Sequence, residues 1–221
     1  MAGTDLARGS KKTDVGTGDS ARPKTLKRRK EVLGVVYEAV SESGVDGVTM
    51  RQIAEAAEIS TGTINYHFKN KHNLLILALE AAYELPEDWK VYKGSPFSQL
   101  QRLAMGYVFR SPRDRFWRFW INYTAHSTRD DEMREHQNTR YERQRKFWGE
   151  LLHDGIAAGE VDPEIDPERE ANDLLLIAHG LVLRQLQSPT PANSEEARQI
   201  LTERFDRLAV KSPKVRRAQG S

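Results

Sequence analysis

Residues 49–71, TMRQIAEAAEISTGTINYHFKNK, leave this chain few ways to fold. Thr49 stands three residues before Gln52, the spacing of a capping box, and Ile53, Ala54 and Ala57 then fall on one helical face. Glu58-Ile59 is the turn. Ser60 is a good N-cap for a second short helix from Thr61 to Phe68, in which Ile64 and Phe68 form the inward stripe. Ala54 is small enough for the steep, close crossing that so short a turn imposes. The pattern predicts a helix-turn-helix whose outward side chains are Thr61, Thr63, Asn65, Tyr66 and His67, with Gly62 allowing close approach to a groove. Hydroxyls, an amide, a phenol and an imidazole are groups that bond base edges or phosphates. A polar surface helix on an ordinary bundle satisfies the same spacing.

The stretch from about Leu26 to about Ala82 resembles the DNA-binding domain of the tetracycline-repressor (TetR) family of bacterial regulators, and GTINYHFKNKHNLL is the specific part of the match. The resemblance implies that Thr61, Gly62, Thr63, Asn65 and Tyr66 face the major groove. It also implies that His67 and Lys71 lie near phosphates and that Thr49 and Arg51 anchor the preceding helix on the DNA backbone; Ser60, at the start of the reading helix, completes the set. Two positions depart from the family pattern. Glu58 stands where Gly is frequent, at a cost of about 1 kcal/mol if the residue must be left-handed. Asn65 stands where Tyr is frequent, and an Asn amide pairs well with adenine, so the base preference does not carry over.

Charge is distributed unevenly. Residues 1–30 carry +6 and the tail from Lys211 carries +4 against a total of +2, so the body between them carries −8. Phosphate repels such a body unless a dedicated surface is turned toward it, which favours a local reading head over general coating of nucleic acid. The chain has no cysteine, hence no disulfide framework and no thiolate metal site, and no His–carboxylate cluster has tight ligand spacing. No metal and no cofactor are expected. GxGxxG, P-loop, HExxH and GxSxG motifs are missing, so an enzyme is not expected either. No apolar run approaches a membrane span and no apolar core of a signal peptide precedes the head, so a cytoplasmic protein without a membrane partner is expected.

Taken in order, the chain predicts an all-α fold of about nine helices. Residues 1–21, rich in Gly, Ser, Thr and Lys, predict a disordered tail. A helix with Leu33, Val36, Tyr37 and Val40 at helical spacing follows a basic cluster of Lys24, Lys27, Arg28, Arg29 and Lys30, either an arm for phosphates or a solvated end, and stops at Ser43-Gly44. The DNA-binding domain spans 22–70. A ligand-binding and dimerisation domain spans 71–210, joined through a fourth helix capped by Asn70, and a basic disordered tail spans 211–221. Ser95-Pro96, Ser111-Pro112 and Asp166-Pro167 mark helix starts, as do Asp130 and the pair Asn193 with Glu196.

Aromatics concentrate at Phe116, Trp117, Phe119, Trp120 and Tyr123, with Tyr141, Phe147 and Trp148 on the long helix that follows. They form core or line a pocket; for a pocket the candidates are Trp117, Trp120, Tyr123, Gln144, Trp148 and His179, with His126 and Gln137 as further polar groups. The last two helices carry apolar stripes, which bury within one chain or pair across a dimer, and the resemblance implies the dimer. Trp117 to Pro189, with AAGEVDPEIDPE and LLLIAHGLVLRQL, is similar to a large subgroup of family C-terminal domains typified by a choline-responsive regulator. The function implied is a homodimeric, sequence-specific regulator, a repressor released from a near-palindromic double-stranded operator by a small-molecule effector. A sequence-tolerant architectural DNA binder is the alternative.

Overall fold

The structure is a computed structural model, and it describes residues 21–83, 93–109 and 114–210, with backbone only at 21–27 and 82–83. Residues 1–20 and 211–221 of the tails expected to be disordered, and the Ser111-Pro112 cap, lie outside the described residues, whereas Ala21 is helical. Within them the chain forms nine helices: α1 (Ala21–Ser43), α2 (Met50–Ala56), α3 (Thr61–Phe68), α4 (Lys71–Tyr83), α5 (Pro96–Val108), α6 (Arg115–Ser127), α7 (Asp131–Ala157), α8 (Pro167–Gln187) and α9 (Pro191–Leu208). One isolated antiparallel bridge joins Val161 to Ala209. No helix among the described residues is long and apolar enough to cross a membrane.

Local chemistry explains most of the boundaries. The Thr49 side chain accepts from the Gln52 N–H and the Gln52 side chain accepts from the Thr49 N–H at 2.8 Å, closing the capping box of α2. Asn70 Oδ1 accepts from the Asn73 N–H at 2.8 Å, and Ser95 and Asp166 cap α5 and α8 ahead of Pro96 and Pro167. Two starts differ from expectation. α6 begins at Arg115, not Pro112, because the Asp114 carboxylate accepts from the N–H groups of Phe116 and Trp117. α9 begins at Pro191 under Thr190, so Asn193 is its third residue and not its cap; the Asn193 side chain donates instead to the Ser188 carbonyl at 2.7 Å.

α2 ends in a Schellman turn, the Ile59 N–H reaching Ala54 O at 3.0 Å and the Glu58 N–H reaching Glu55 O at 3.1 Å. This geometry puts Glu58 at φ +53°, where the equivalent positions after α1 and α7 hold Gly44 and Gly159 at φ +71°. The two carbonyls that the turn leaves over, Ala57 O and Glu58 O, each accept from Arg28 Nη2 at 3.0 Å. Arg28 therefore clamps the turn from α1. Its side chain stays 43 % exposed, and its other guanidinium nitrogen pairs with Glu31 at 3.0 Å.

The apolar side chains form two clusters. One holds Val36 and Val40 of α1, Ile53, Ala54, Ile64 and Phe68 of the helix-turn-helix, and Leu74, Leu75, Ala78 and Leu79 of α4, and it also takes in Phe119, Tyr123 and Met133. The other is built from α5 to α9, with Trp117, Trp120, Trp148, Leu152, Leu174 and Phe205 among its members. α6 thus buries both of its faces, one in each cluster. Replacing Glu58 by Gly relieves the left-handed backbone strain and is expected to raise stability by about 1 kcal/mol, about 2–4 °C in thermal melts. An unchanged or lower Tm would show that the Arg28 clamp already absorbs the strain.

Candidate nucleic-acid interface and buried polar cluster

α3 presents the hydrogen-bonding set on its outer side. Ile64 and Phe68 are buried, while Thr61, Gly62, Asn65, Tyr66 and His67 are exposed and Thr63 is half-buried. Tyr66 is 84 % exposed, the most exposed large apolar side chain of the described residues, with its ring edge-on to His67 at 5.3 Å. Ser60 Oγ accepts from the Thr63 N–H at 3.0 Å and shares a hydroxyl bond with Thr63 Oγ1 at 2.8 Å, which fixes the start of the helix. Thr49 is exposed, and Arg51 projects from α2 in an exposed pair with Glu55 at 2.9 Å. Lys71 is placed otherwise. Its ammonium donates to Val45 O and Val48 O, both at 2.9 Å, and so braces the loop that delivers Thr49 rather than standing on the outer face.

In the body, five of the six pocket candidates come together. Trp117 packs edge-on to Trp120 at 5.5 Å, and Trp120 stacks on His179 at 5.0 Å with 14° between the planes. Trp148 joins through Tyr107 at 6.0 Å, and Gln144 lies buried on the same stripe of α7. Tyr123 does not join them. It sits on the opposite face of α6, in the cluster of the head, where its hydroxyl reaches Met133 O at 3.5 Å and burial raises its pKa. His126 is also elsewhere, its Nδ1 3.8 Å from Asp46 at the junction with the head.

Three members of the buried group were missing from the expected pocket. Tyr107 of α5 shares a 2.8 Å hydrogen bond with His179 Nε2 and packs edge-on at 4.4 Å against Trp117. Tyr141, noted in the sequence only as an aromatic, lies 5.8 Å from His179 and donates to Asn172 Oδ1 at 2.9 Å. Arg140 is buried, with its guanidinium over the Phe116 ring at 5.4 Å. The signal for Arg140 was its place on the inward stripe of α7 shared by Gln137, Gln144 and Trp148. Burial first, and the positive charge of Arg140 second, push the His179 imidazole down to about 3, so it is neutral at neutral pH. The indole N–H groups of Trp120 and Trp148, the Gln144 Nε2, the Gln137 Oε1 and the Thr124 hydroxyl are buried with no hydrogen-bond partner among protein atoms.

Residues 37–78 match the bacterial regulatory proteins of the tetR family, and residues 96–210 match the C-terminal domain of BetI-type transcriptional repressors. The chain belongs to the TetR family of transcriptional regulators. Its relatives include the HTH-type transcriptional regulator PksA of Bacillus subtilis, 22 % identical over 200 residues that cover 83 % of this chain and 91 % of PksA. The HTH-type transcriptional repressor KstR2 of Mycolicibacterium smegmatis is 28 % identical over 149 residues, 63 % of this chain and 70 % of KstR2. A regulator from Saccharomonospora viridis, solved in complex with choline, shares the fold with a TM-score of 0.73 at 22 % identity, covering 85 % of this chain and all of the other. Proteins of this family bind DNA, respond to small molecules and dimerise. The helix-turn-helix and the buried cluster of this TetR-family chain lie within the two matched regions.

The neutral His179 has a consequence for stability. Its folded pKa lies below the ordinary 6.5, so between 6.5 and about 3 the unfolded chain binds a proton that the native state refuses. Stability falls as the pH drops through that window, by at most about 1.4 kcal/mol per pH unit from this group. His179→Gln lacks this increment, so its stability deficit relative to the wild type shrinks from about pH 7 to about pH 4.5 in urea titrations. An equal deficit at both values would mean that the imidazole titrates as if exposed.

Proposed function

We propose that this TetR-family regulator is a homodimeric repressor that reads a near-palindromic operator with α3 and leaves it when a small molecule binds within α5–α8. The observation that carries the reading is the outer face of α3, where hydroxyl, amide, phenol and imidazole groups stand exposed on a short helix locked by the Ser60 cap, the Schellman turn and the Arg28 clamp. Thr61, Gly62, Thr63, Asn65 and Tyr66 approach base edges in the major groove, and Asn65 suits an adenine. Thr49, Arg51, Ser60 and His67 approach the backbone on either side, and Lys71 acts from behind by holding the 45–48 loop.

The dimer has support of its own. α8 exposes Leu176 and Leu183, seven residues apart, with the open face of Gly180 between them, and α9 exposes Ile200. Apolar side chains and a glycine at helical spacing suit close packing against a second copy, which also supplies the two-fold symmetry that a palindromic site requires. In domain terms, 22–70 carries the reading head and 71–210 the effector and dimer surfaces, and the protein works in the cytoplasm, where the DNA is. Choline is bound by the structural relative from Saccharomonospora viridis; the effector of this chain is taken to be a small molecule held around Trp117, Trp120, Gln144, Trp148 and His179.

The test is competition between DNA flanking the gene of this regulator and random duplex, at stated salt. Thr63→Ala with Tyr66→Ala is expected to weaken specific binding by about ten- to a hundredfold, the loss of one or two base contacts, while the dimer persists on size exclusion. Normal operator binding by that double variant would displace the reading face from α3. Equal binding of flanking and random DNA by the wild type at low and moderate salt would favour an architectural role instead.

A further inference from the structure

We propose that Lys71 and Arg28 are positioning residues for operator recognition, cations that touch no DNA and set sequence preference by bracing the two loops that flank α2. The assignment rests on the reading that α3 recognises an operator, and it names two residues behind α3 on which that recognition depends.

α2 has seven residues and α3 eight, too few for either helix to hold its place by its own hydrogen bonds. Ile53, Ala54, Ile64 and Phe68 anchor the inner side of the pair in the core of the head, so what remains to be fixed is the loop at each end of α2. Each loop is held by one cation that donates to two main-chain carbonyls. Before α2, the Lys71 ammonium spends two of its three N–H donors on Val45 O and Val48 O, at 2.9 Å each. Lys71 opens α4 directly after the turn that ends α3, so this one side chain ties the exit of α3 to the entry of α2. The loop it grips has little slack: Val45 and Val48 are buried, and a Cβ on Gly47 would lie 2.2 Å from Ser43 O. After α2, Arg28 Nη2 spends both of its N–H donors on Ala57 O and Glu58 O, at 3.0 Å each. Glu58 is left-handed there at φ +53°, a conformation that Gly adopts freely and Glu does not, so the turn into α3 relies on the clamp.

Contacts to bases and to phosphates respond differently to a displaced helix. A base contact needs a donor–acceptor distance of about 2.7–3.2 Å and good alignment, and a small tilt or slide of α3 breaks it. Attraction to phosphate falls only with the inverse of distance and hardly notices the same shift. Loosening either loop therefore removes sequence preference and spares general attraction to the duplex. A cation in contact with a phosphate does the opposite. Its loss weakens specific and random duplex alike and lowers the slope of log affinity against log salt by about 0.9. Family resemblance implies that second role for Lys71, so one substitution separates the two.

The test uses the full chain, the duplex that the wild type enriches from a random pool, and a scrambled duplex of the same composition, titrated at several salt concentrations. Lys71→Met and Arg28→Met keep an aliphatic stem and remove the donors. Each is expected to lower the ratio of specific to scrambled affinity about tenfold or more, with scrambled affinity within about twofold of the wild type and the salt slope unchanged. Adding Glu58→Gly to Arg28→Met is expected to restore part of the ratio, because Gly closes the turn without the clamp; a lost phosphate contact is not recovered that way. Binding is measured well below the lowest melting midpoint, and Lys71→Gln, which keeps N–H donors on a shorter side chain, is the milder variant if Lys71→Met does not fold.

Loss of both affinities with a slope lower by about 0.9 would make the residue a phosphate contact and overturn the assignment. An unchanged ratio in folded variants would overturn it too, as would failure of Glu58→Gly to restore any of the ratio lost in Arg28→Met. A wild type that enriches no sequence would sink the repressor reading itself, and the assignment with it, before any variant is made.

Discussion

The two-sided burial of α6 is the constraint on which the rest of the molecule depends. Phe119 and Tyr123 point into the core of the head, while Trp117 and Trp120 point into the core of the body. Phe119 meets the Tyr37 ring of α1 edge-on at 4.9 Å, and the Tyr37 hydroxyl in turn donates to Ala78 O of α4. Burial holds the Tyr37 phenol well above its ordinary pKa, so this bond stays protonated. Ser41 of α1 adds a bond from its hydroxyl to Arg115 O, at the first turn of α6, at 2.6 Å. Protein cores are close-packed, so a helix wedged between two of them does not shift on one side without displacing the other.

The junction around that wedge is apolar at its centre and polar at its rim. His72 of α4 lies 3.2 Å from Asp130 and 2.7 Å from Glu132, His136 of α7 lies 3.5 Å from Glu80, and His126 lies 3.8 Å from Asp46. Surface pairs contribute little, about 0–1 kcal/mol each even when both partners are charged. They bias orientation and exchange partners at little cost, whereas the aromatic centre repacks only between discrete arrangements. A head held by a stiff core and a soft rim suits two well-defined settings better than a continuum.

Which parts were legible in the sequence follows from how far each interaction reaches. The helix-turn-helix was readable to the residue because every signal in it is local: the Thr49 capping box, the Ser60 cap, and the Ile64 and Phe68 stripe. The contacts of Arg28 and Lys71 were not legible because their partners lie 23 to 30 residues away on backbone carbonyls, which no side-chain pattern announces. The starts of α6 and α9 slipped because two capping residues competed at each, and only the packed fold selects Asp114 and Thr190. Tyr123 was grouped with Trp117 and Trp120 because both faces of α6 are apolar, and periodicity cannot say which core each face enters. Tyr107 and Arg140 were missed for the same reason in reverse: one comes from a different helix, and the other looks like a surface charge until the long helix is packed.

A ligand moves the head only through a difference in its contacts between the two settings. Reversing an equilibrium from 1:99 to 99:1 takes about 5.5 kcal/mol, whereas one hydrogen bond to a charged group is worth about 1.5–3 kcal/mol. Several donors must therefore reach the ligand together in one arrangement and not in the other, and a dimer with two sites shares the requirement between them. The polar groups of the buried cluster are divided between elements: Trp120 belongs to α6, Gln144 and Trp148 to α7 and His179 to α8. Displacement of α6 against α7 changes the spacing between them. Phe119 adjoins Trp120 in the chain and faces the opposite core, where it meets Tyr37 of α1, and the Arg28 clamp ties α1 to the turn before α3, so α6 is the element through which the buried cluster of the body touches the head.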